Sequence, residues 1–204
     1  MSRIDDYINA RKLAVEKLSQ ASFEIIAERS GFAPSDGPSL HIPFLDRTYR
    51  VGYPHFEFED QSESQKEIPI QEQVLILHYL MAPETPDLSG QWVSYREIPG
   101  ASFYFGAFVK RAVDPLKKVF GQNITGFCRA AEILRARKIE NGDAGFEFRM
   151  FPAVPLQLIL WEGDDEFPAA ANILFDKTIG RMLSPEDVAW LAGMVVYRLI
   201  ALSH

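Results

Sequence analysis

Residues 145–161 read Gly145-Phe146-Glu147-Phe148-Arg149-Met150-Phe151, then Pro152-Ala153-Val154-Pro155, then Leu156-Gln157-Leu158-Ile159-Leu160-Trp161. The first segment alternates, with Phe146, Phe148 and Met150 inward and Glu147 and Arg149 outward, the period of a strand with one covered face. Residues 156–161 are nearly all apolar, as in a central strand covered on both faces. Two prolines bracket a connection too short for a crossover, which favours antiparallel neighbours. An antiparallel sheet with residues 156–161 at its heart is therefore expected.

The flanks add strands and helices. Downstream, an acidic loop over 162–167 leads to a third strand at 172–175. Ser184-Pro185-Glu186-Asp187 then announces a helix: a capping serine, a first-position proline and acids facing the positive end of the dipole. Val188, Leu191, Ala192, Val195 and Leu199 form its apolar stripe. Upstream, Asn141-Gly142-Asp143 marks a turn after a helix expected over 123–138. Asp114-Pro115 is expected to cap and start a separate helix ending at Gly121. Phe105, Phe108 and Ala112 fit a helical stripe, and residues 92–98 alternate as a strand.

Pro69 opens a helix with Ile70, Val74, Leu77 and Met81 on one stripe and Leu75, Ile76 and Leu80 over much of the rest, so it should be central and buried. Residues 40–44, 48–52 and 55–59 read as a β-meander, followed by a solvated polar loop over 60–67. The first thirty residues carry Ile4, Ile8, Val15, Leu18 and Ile25 on a helical stripe interrupted by Arg11 and Ser22. Ser22 can cap a second helix, which Gly31 would end. With no repeat and no flexible linker, the expectation is a single compact α+β domain over residues 1–204, antiparallel sheet elements packed against several helices.

The 204 residues include 28 acidic and 21 basic side chains, a formal net charge of -7 that repels nucleic-acid backbones and anionic lipid. Lys117, Lys118, Arg129, Arg135, Arg137 and Lys138 make one segment locally basic, a pattern read as a solvated helical face. Apolar runs are far shorter than the roughly 20 residues that span a bilayer. The first 17 residues are charged throughout, without the apolar core of a secretory signal, so a cytoplasmic location is expected. A single cysteine, Cys128, makes neither an internal disulfide nor a multi-cysteine metal site.

Candidate chemistry is sparse. In Trp161-Glu162-Gly163-Asp164-Asp165-Glu166-Phe167-Pro168, four carboxylates fall within five positions. Such a group raises its own pKa values and calls for an offsetting positive charge, supplied by an arginine such as Arg96, a basic partner or a cation. The spacing is not that of a calcium loop, no histidine pair suits zinc, and no metal site is assigned. The bland reading is a solvated turn. Trp92, Tyr95 and Arg96 can line a pocket for a flat or anionic ligand by stacking and bidentate hydrogen bonding, or be core residues and a surface charge. His78, within the central helix, reads as a structural hydrogen-bonding residue. The binding candidates are thus Trp92, Tyr95, Arg96, Trp161, Glu162, Asp164, Asp165 and Glu166; no catalytic residue or cofactor is identified.

The chain resembles a family of bacterial and archaeal proteins known as a domain of unknown function, number thirty-seven eighty-six. The likeness lies in Leu77-His78-Tyr79-Leu80, residues 90–100, Tyr104-Phe105, Asp114-Pro115-Leu116, residues 155–156 and 160–168, Leu174-Phe175-Asp176 and the last helix, with the acidic loop its most specific part. The resemblance implies a cytoplasmic protein, often from anaerobes and sometimes joined to or encoded near iron–sulfur and corrinoid methyl-transfer proteins. It implies no established activity and carries over no catalytic residue. An iron–sulfur cofactor would have to belong to a partner, since this chain lacks the cysteines. The leading expectation is an accessory domain binding a protein partner or a small ligand, neither nucleic acid nor membrane; the alternative is a hydrolase or transferase using these carboxylates with a divalent cation. Nothing in the sequence sets the oligomeric state.

Overall fold

The computed structural model describes residues 4–62 and 67–203. The fold is α+β with antiparallel sheets, and the chain divides into two compact units, Met1–Pro86 with Arg181–Leu183, and Asp87–Gly180 with Ser184–His204.

The first unit holds α1 (Ile4–Leu18), α2 (Phe23–Ser30), the meander β1 (Ser39–Phe44), β2 (Arg47–Gly52) and β3 (Glu57–Asp60), and α3 (Ile70–Leu80). Ser22 caps α2, accepting from the Ile25 amide, and Gly31 ends it in the left-handed region at φ 70°. The stripe expected on α1 is corrected. Ile4 and Ile8 are 65% and 50% exposed, and Ile25 on α2 is exposed too, while Ala14 and Leu18 are buried. Arg11, expected to interrupt the buried face, belongs to it: its Nε donates to Gln73 and its Nη2 to the Phe56 carbonyl, both 2.9 Å or less. An apolar count misses a guanidinium whose stem packs while its head finds acceptors.

β1, β2 and β3 pair in that order, with Leu40, Ile42 and Phe44 buried on β1 and Tyr49 and Val51 on β2. The Tyr49 hydroxyl donates to Glu72 of α3 at 2.5 Å, joining meander to helix. Asp60, expected in the polar loop, ends β3 instead, buried and paired with Arg47 at 2.9 Å. Residues 63–66 of that loop lie outside the described residues. α3 is central as expected, with Val74, Leu75, Ile76, Leu77, Tyr79 and Leu80 all buried; His78 is half-buried on it.

The second unit begins with β4 (Trp92–Ser94), then α4 (Phe105–Phe108), α5 (Asp114–Phe120), α6 (Ile124–Ile133), β5 (Arg137–Ile139), β6 (Ala144–Phe151), β7 (Val154–Trp161), β8 (Ala170–Asp176) and α7 (Pro185–Leu202). Its antiparallel sheet runs β4-β8-β7-β6-β5, with β7 in the middle as expected. Phe146 faces Leu158, Phe148 faces Leu156, and Leu156 faces Phe175. This face meets the helices through Phe127 on Phe146, centroids 5.5 Å apart, and Phe108 on Phe175 at 6.1 Å. Ser184 and Asp187 form the expected capping box of α7.

Four expectations about this unit are corrected. The strand from Trp92 stops at Ser94, where a capping box between Ser94 and Glu97 turns Tyr95–Glu97 into a 3-10 turn. Asp114 caps nothing, because Ala101–Tyr104, α4, a π-helical turn Val109–Val113 and α5 follow one another without a break. Pro115 lacks a backbone N–H and its ring crowds the preceding turn; the wider π turn accommodates both. α6 stops at Ile133, Arg135 adopts φ 54°, and Arg137–Ile139 pairs with β6 as an edge strand, so backbone hydrogen bonding to the sheet outweighs helical preference. The outward face of β6 is likewise not solvated at Glu147, which is 6% exposed and held by Arg137 and Gln157.

Asp176, at the end of β8, ties the chain before β4 to the sheet. Its carboxylate accepts from the Ser89 and Gly90 amides and from the Ser89 and Thr178 hydroxyls at 2.7–3.2 Å, as well as from the Thr178 amide. Burial alone would push this carboxyl up; the hydrogen bonds from Thr178 and Ser89 outweigh it and bring the pKa from 3.8 down to about 2. Because the folded value lies below the unfolded one, this stabilisation is present above about pH 4 and lost as pH falls toward about 2. Asp176→Asn is therefore expected to cost about 2 kcal/mol at neutral pH and to flatten the acid limb of the stability curve, measured by urea unfolding from pH 2 to 7. Leu158→Asp, which leaves a charge at a fully buried position, should cost several kcal/mol and lower Tm sharply.

Candidate functional site

The register of β8 places the candidates. Trp92 pairs with Asp176 and Trp161 with Ala170, at opposite ends of that strand. Six residues at about 3.3 Å each separate them by ~20 Å, so the Trp92 and acidic-loop regions do not share one pocket.

At the Trp92 end, Tyr95 is a core residue. Its ring stacks on Phe108, centroids 4.2 Å apart and planes within 3°, and its hydroxyl donates to the Pro185 carbonyl at 2.7 Å. Burial first, and Tyr104 next, push its phenol up to about 12, against the opposing charge of Arg111. Arg96 lies over Phe105, 3.8 Å from the ring centroid, and so is occupied far from the acidic loop it was expected to offset. Trp92 is half-buried on β4. The arginine whose charge acts on the Tyr95 phenol is Arg111, which sequence reasoning missed: its guanidinium stacks on Trp190 at 4.2 Å, and its buried Nη1 has no hydrogen-bond partner. Only the crossing of α7 with the helical run brings Arg111 to Trp190.

At the other end, a cleft of about 360 Å³ opens between the α5–α6 junction and the β7–β8 loop. Lys117, Lys118 and Asn123 contribute from the helices, and Gly163, Asp164 and Phe167 from the loop. Two glycines let the walls meet. A Cβ at Gly121 would stand 2.5 Å from that of Ala169, and one at Gly163 would stand 2.6 Å from the Ala169 nitrogen. The Gly163 amide donates to the Gly121 carbonyl at 2.9 Å, closing the floor.

Asp164 shapes the loop. Its Oδ1 accepts from the Glu166 amide at 2.8 Å and the Phe167 amide at 2.6 Å, and its own amide donates to the Phe167 carbonyl at 2.9 Å. These amides, Phe167 first, hold its carboxyl below the usual value. The turn sets Phe167 at the rim, 67% exposed. Trp161, Glu162, Asp165 and Glu166 are exposed, and the Glu162 amide donates to Asp143 at 2.8 Å. The cleft thus brings together Asp164 and two lysines that the sequence marked only as part of a basic segment, along with a phenylalanine carried by the acidic motif. Pairing across the fold, not spacing, selects them. Among the described residues no three of His, Cys, Asp and Glu are grouped so as to hold a metal ion. Likewise no helix among them is long and apolar enough to cross a membrane. Cys128 is half-buried on α6, and burial raises its thiol pKa, the opposite of an activated nucleophile.

A family model described as a domain of unknown function, DUF3786, matches residues 22–198, more than half of the chain. No curated protein and no solved structure matches it. Gly163→Val is expected to lower Tm by several degrees, on the order of 2 kcal/mol, because the new side chain meets the Ala169 backbone. The accompanying amide shifts should fall on 121–123 and 163–169 in a two-dimensional NMR spectrum.

Proposed function

From the premise that the chain belongs to the DUF3786 family, a domain of unknown function, we propose that it is a non-catalytic binding module acting in the cytoplasm and presenting the α5–α6 and β7–β8 cleft to a small ligand. The observation that carries this reading is the cleft itself. It unites an exposed aromatic ring, two ammonium groups and a carboxylate over a floor closed by glycine contacts. Ligand sites are concave, largely preformed and mostly apolar with a few fixed polar groups, and about 360 Å³ falls at the small end of their range. Asp164 organises the loop in advance, so little ordering remains to oppose binding. The lone thiol, free of any disulfide framework, supports the cytoplasmic assignment.

A protein partner is the second form of the same reading, and Phe103, 87% exposed beside Tyr104, is the feature that favours it. The hydrolase alternative draws no such support, since Oδ1 of Asp164 is already engaged by two backbone amides and no metal-holding group assembles among the described residues.

The test is amide NMR of the isotope-labelled full chain against a library of small cellular metabolites. Binding should shift 117–123 and 163–169, and the double variant Lys118→Glu, Phe167→Ser, whose two sites are exposed, should abolish it with Tm unchanged. Shifts confined to other regions, or none at all, would overturn the reading.

A further inference from the structure

The cleft has walls of opposite charge. On the helix side Lys117 is engaged by Asp114 at 3.7 Å, while Lys118 is exposed and makes no ion pair among the described residues. On the loop side Asp164 gives Oδ1 to the Glu166 and Phe167 amides, which leaves its second oxygen with lone pairs to offer. Phe167, Pro168 and Ala169 add apolar surface to the same lining.

A simple anion drawn to Lys118 would also face Asp164, with Asp165 and Glu166 next to it in the loop. A simple cation drawn to Asp164 would face both lysines. Each singly charged ligand therefore meets one attractive and one repulsive wall, and the two contributions largely cancel. A molecule carrying both charges is attracted at each end, in one orientation only.

We infer that the cleft binds a small zwitterion of α-amino-acid type, its carboxylate against Lys118, its ammonium against Asp164 and its apolar side chain on Phe167. This rests on the reading of the cleft as a ligand surface and narrows it to one chemical class. The volume of about 360 Å³ admits a molecule of amino-acid size. The held carboxylate stays ionised through the neutral range, so the loop wall keeps its charge at cellular pH.

Calorimetric titration of the full chain with L-phenylalanine, its N-acetyl derivative and its methyl ester separates the three charge forms. The zwitterion is expected to bind at least tenfold more tightly than either derivative, one of which lacks the cation and the other the anion. Asp164→Asn keeps an oxygen for the two backbone amides but removes the charge; it should weaken the zwitterion about tenfold without weakening the N-acetyl form. Lys118→Met should weaken the zwitterion similarly and spare the ester. Equal binding of all three compounds, or a preference for a singly charged one, overturns the inference on the unmodified protein, whatever the variants do. So does absence of binding by all three. In each of those cases the metabolite screen still decides the broader reading, which fails if its shifts avoid the cleft or none appear.

Discussion

The second unit depends on the burial of β7 (Val154–Trp161) between β6 and β8. Every residue from Val154 to Leu160 is buried, so the strand exposes neither face along that length. Its ladder is set by cross-strand pairs: Phe146 with Leu158, Phe148 with Leu156, and Leu158 with Ile173. A slip of one residue would send this entire apolar set to the opposite face, so the register is held by the core. Once it is fixed, the ends of β8 are fixed, and with them the positions of Trp92, Trp161 and the loop after β7. The separation of the two candidate regions follows from this ladder.

Carboxylates do different work at the two ends of that sheet. Asp176 is buried and saturated by donors from residues 89, 90 and 178, so its charge serves to hold the start of β4 in place. Asp164 is exposed, lines the cleft and serves a turn with one oxygen, leaving the other with lone pairs to offer. The four-carboxylate loop thus has a structural component in Asp164, which makes the Phe167 turn, and in Gly163, which approaches Ala169 closely. Asp165 and Glu166 remain exposed charges beside it.

The differences between expectation and structure share a cause. Arg11, Asp60 and Glu147 are polar residues read as outward, yet each packs inward because a partner from a distant segment satisfies it: Gln73 and Phe56 for Arg11, Arg47 for Asp60, and Arg137 and Gln157 for Glu147. Those partners lie from 10 to 62 positions away in the chain, beyond the reach of a local pattern. The same holds for residues 137–139, which pair with β6 although their neighbours favour helix, and for Pro115, which sits inside a continuous helical run because a π turn precedes it.

Local signals sufficed wherever one segment's own chemistry decides its conformation. The alternation of 145–151, the apolar run of 156–161, the Ser22 and Ser184 caps and the central burial of 70–80 were all legible, because backbone period and capping depend on neighbours a few residues apart. The acidic motif was legible as unusual. Its relation to Lys117, Lys118 and Phe167 was not, since a cleft exists only where segments some 45 residues apart are brought together by two glycine contacts. The sequence by itself determined the α+β class, the antiparallel pairing of 145–151 with 156–161 and the position of the last helix. Tertiary structure alone decided which charged groups are buried, which face one another and where a ligand could sit, because those outcomes depend on desolvation and pairing between distant residues, and no local pattern encodes them.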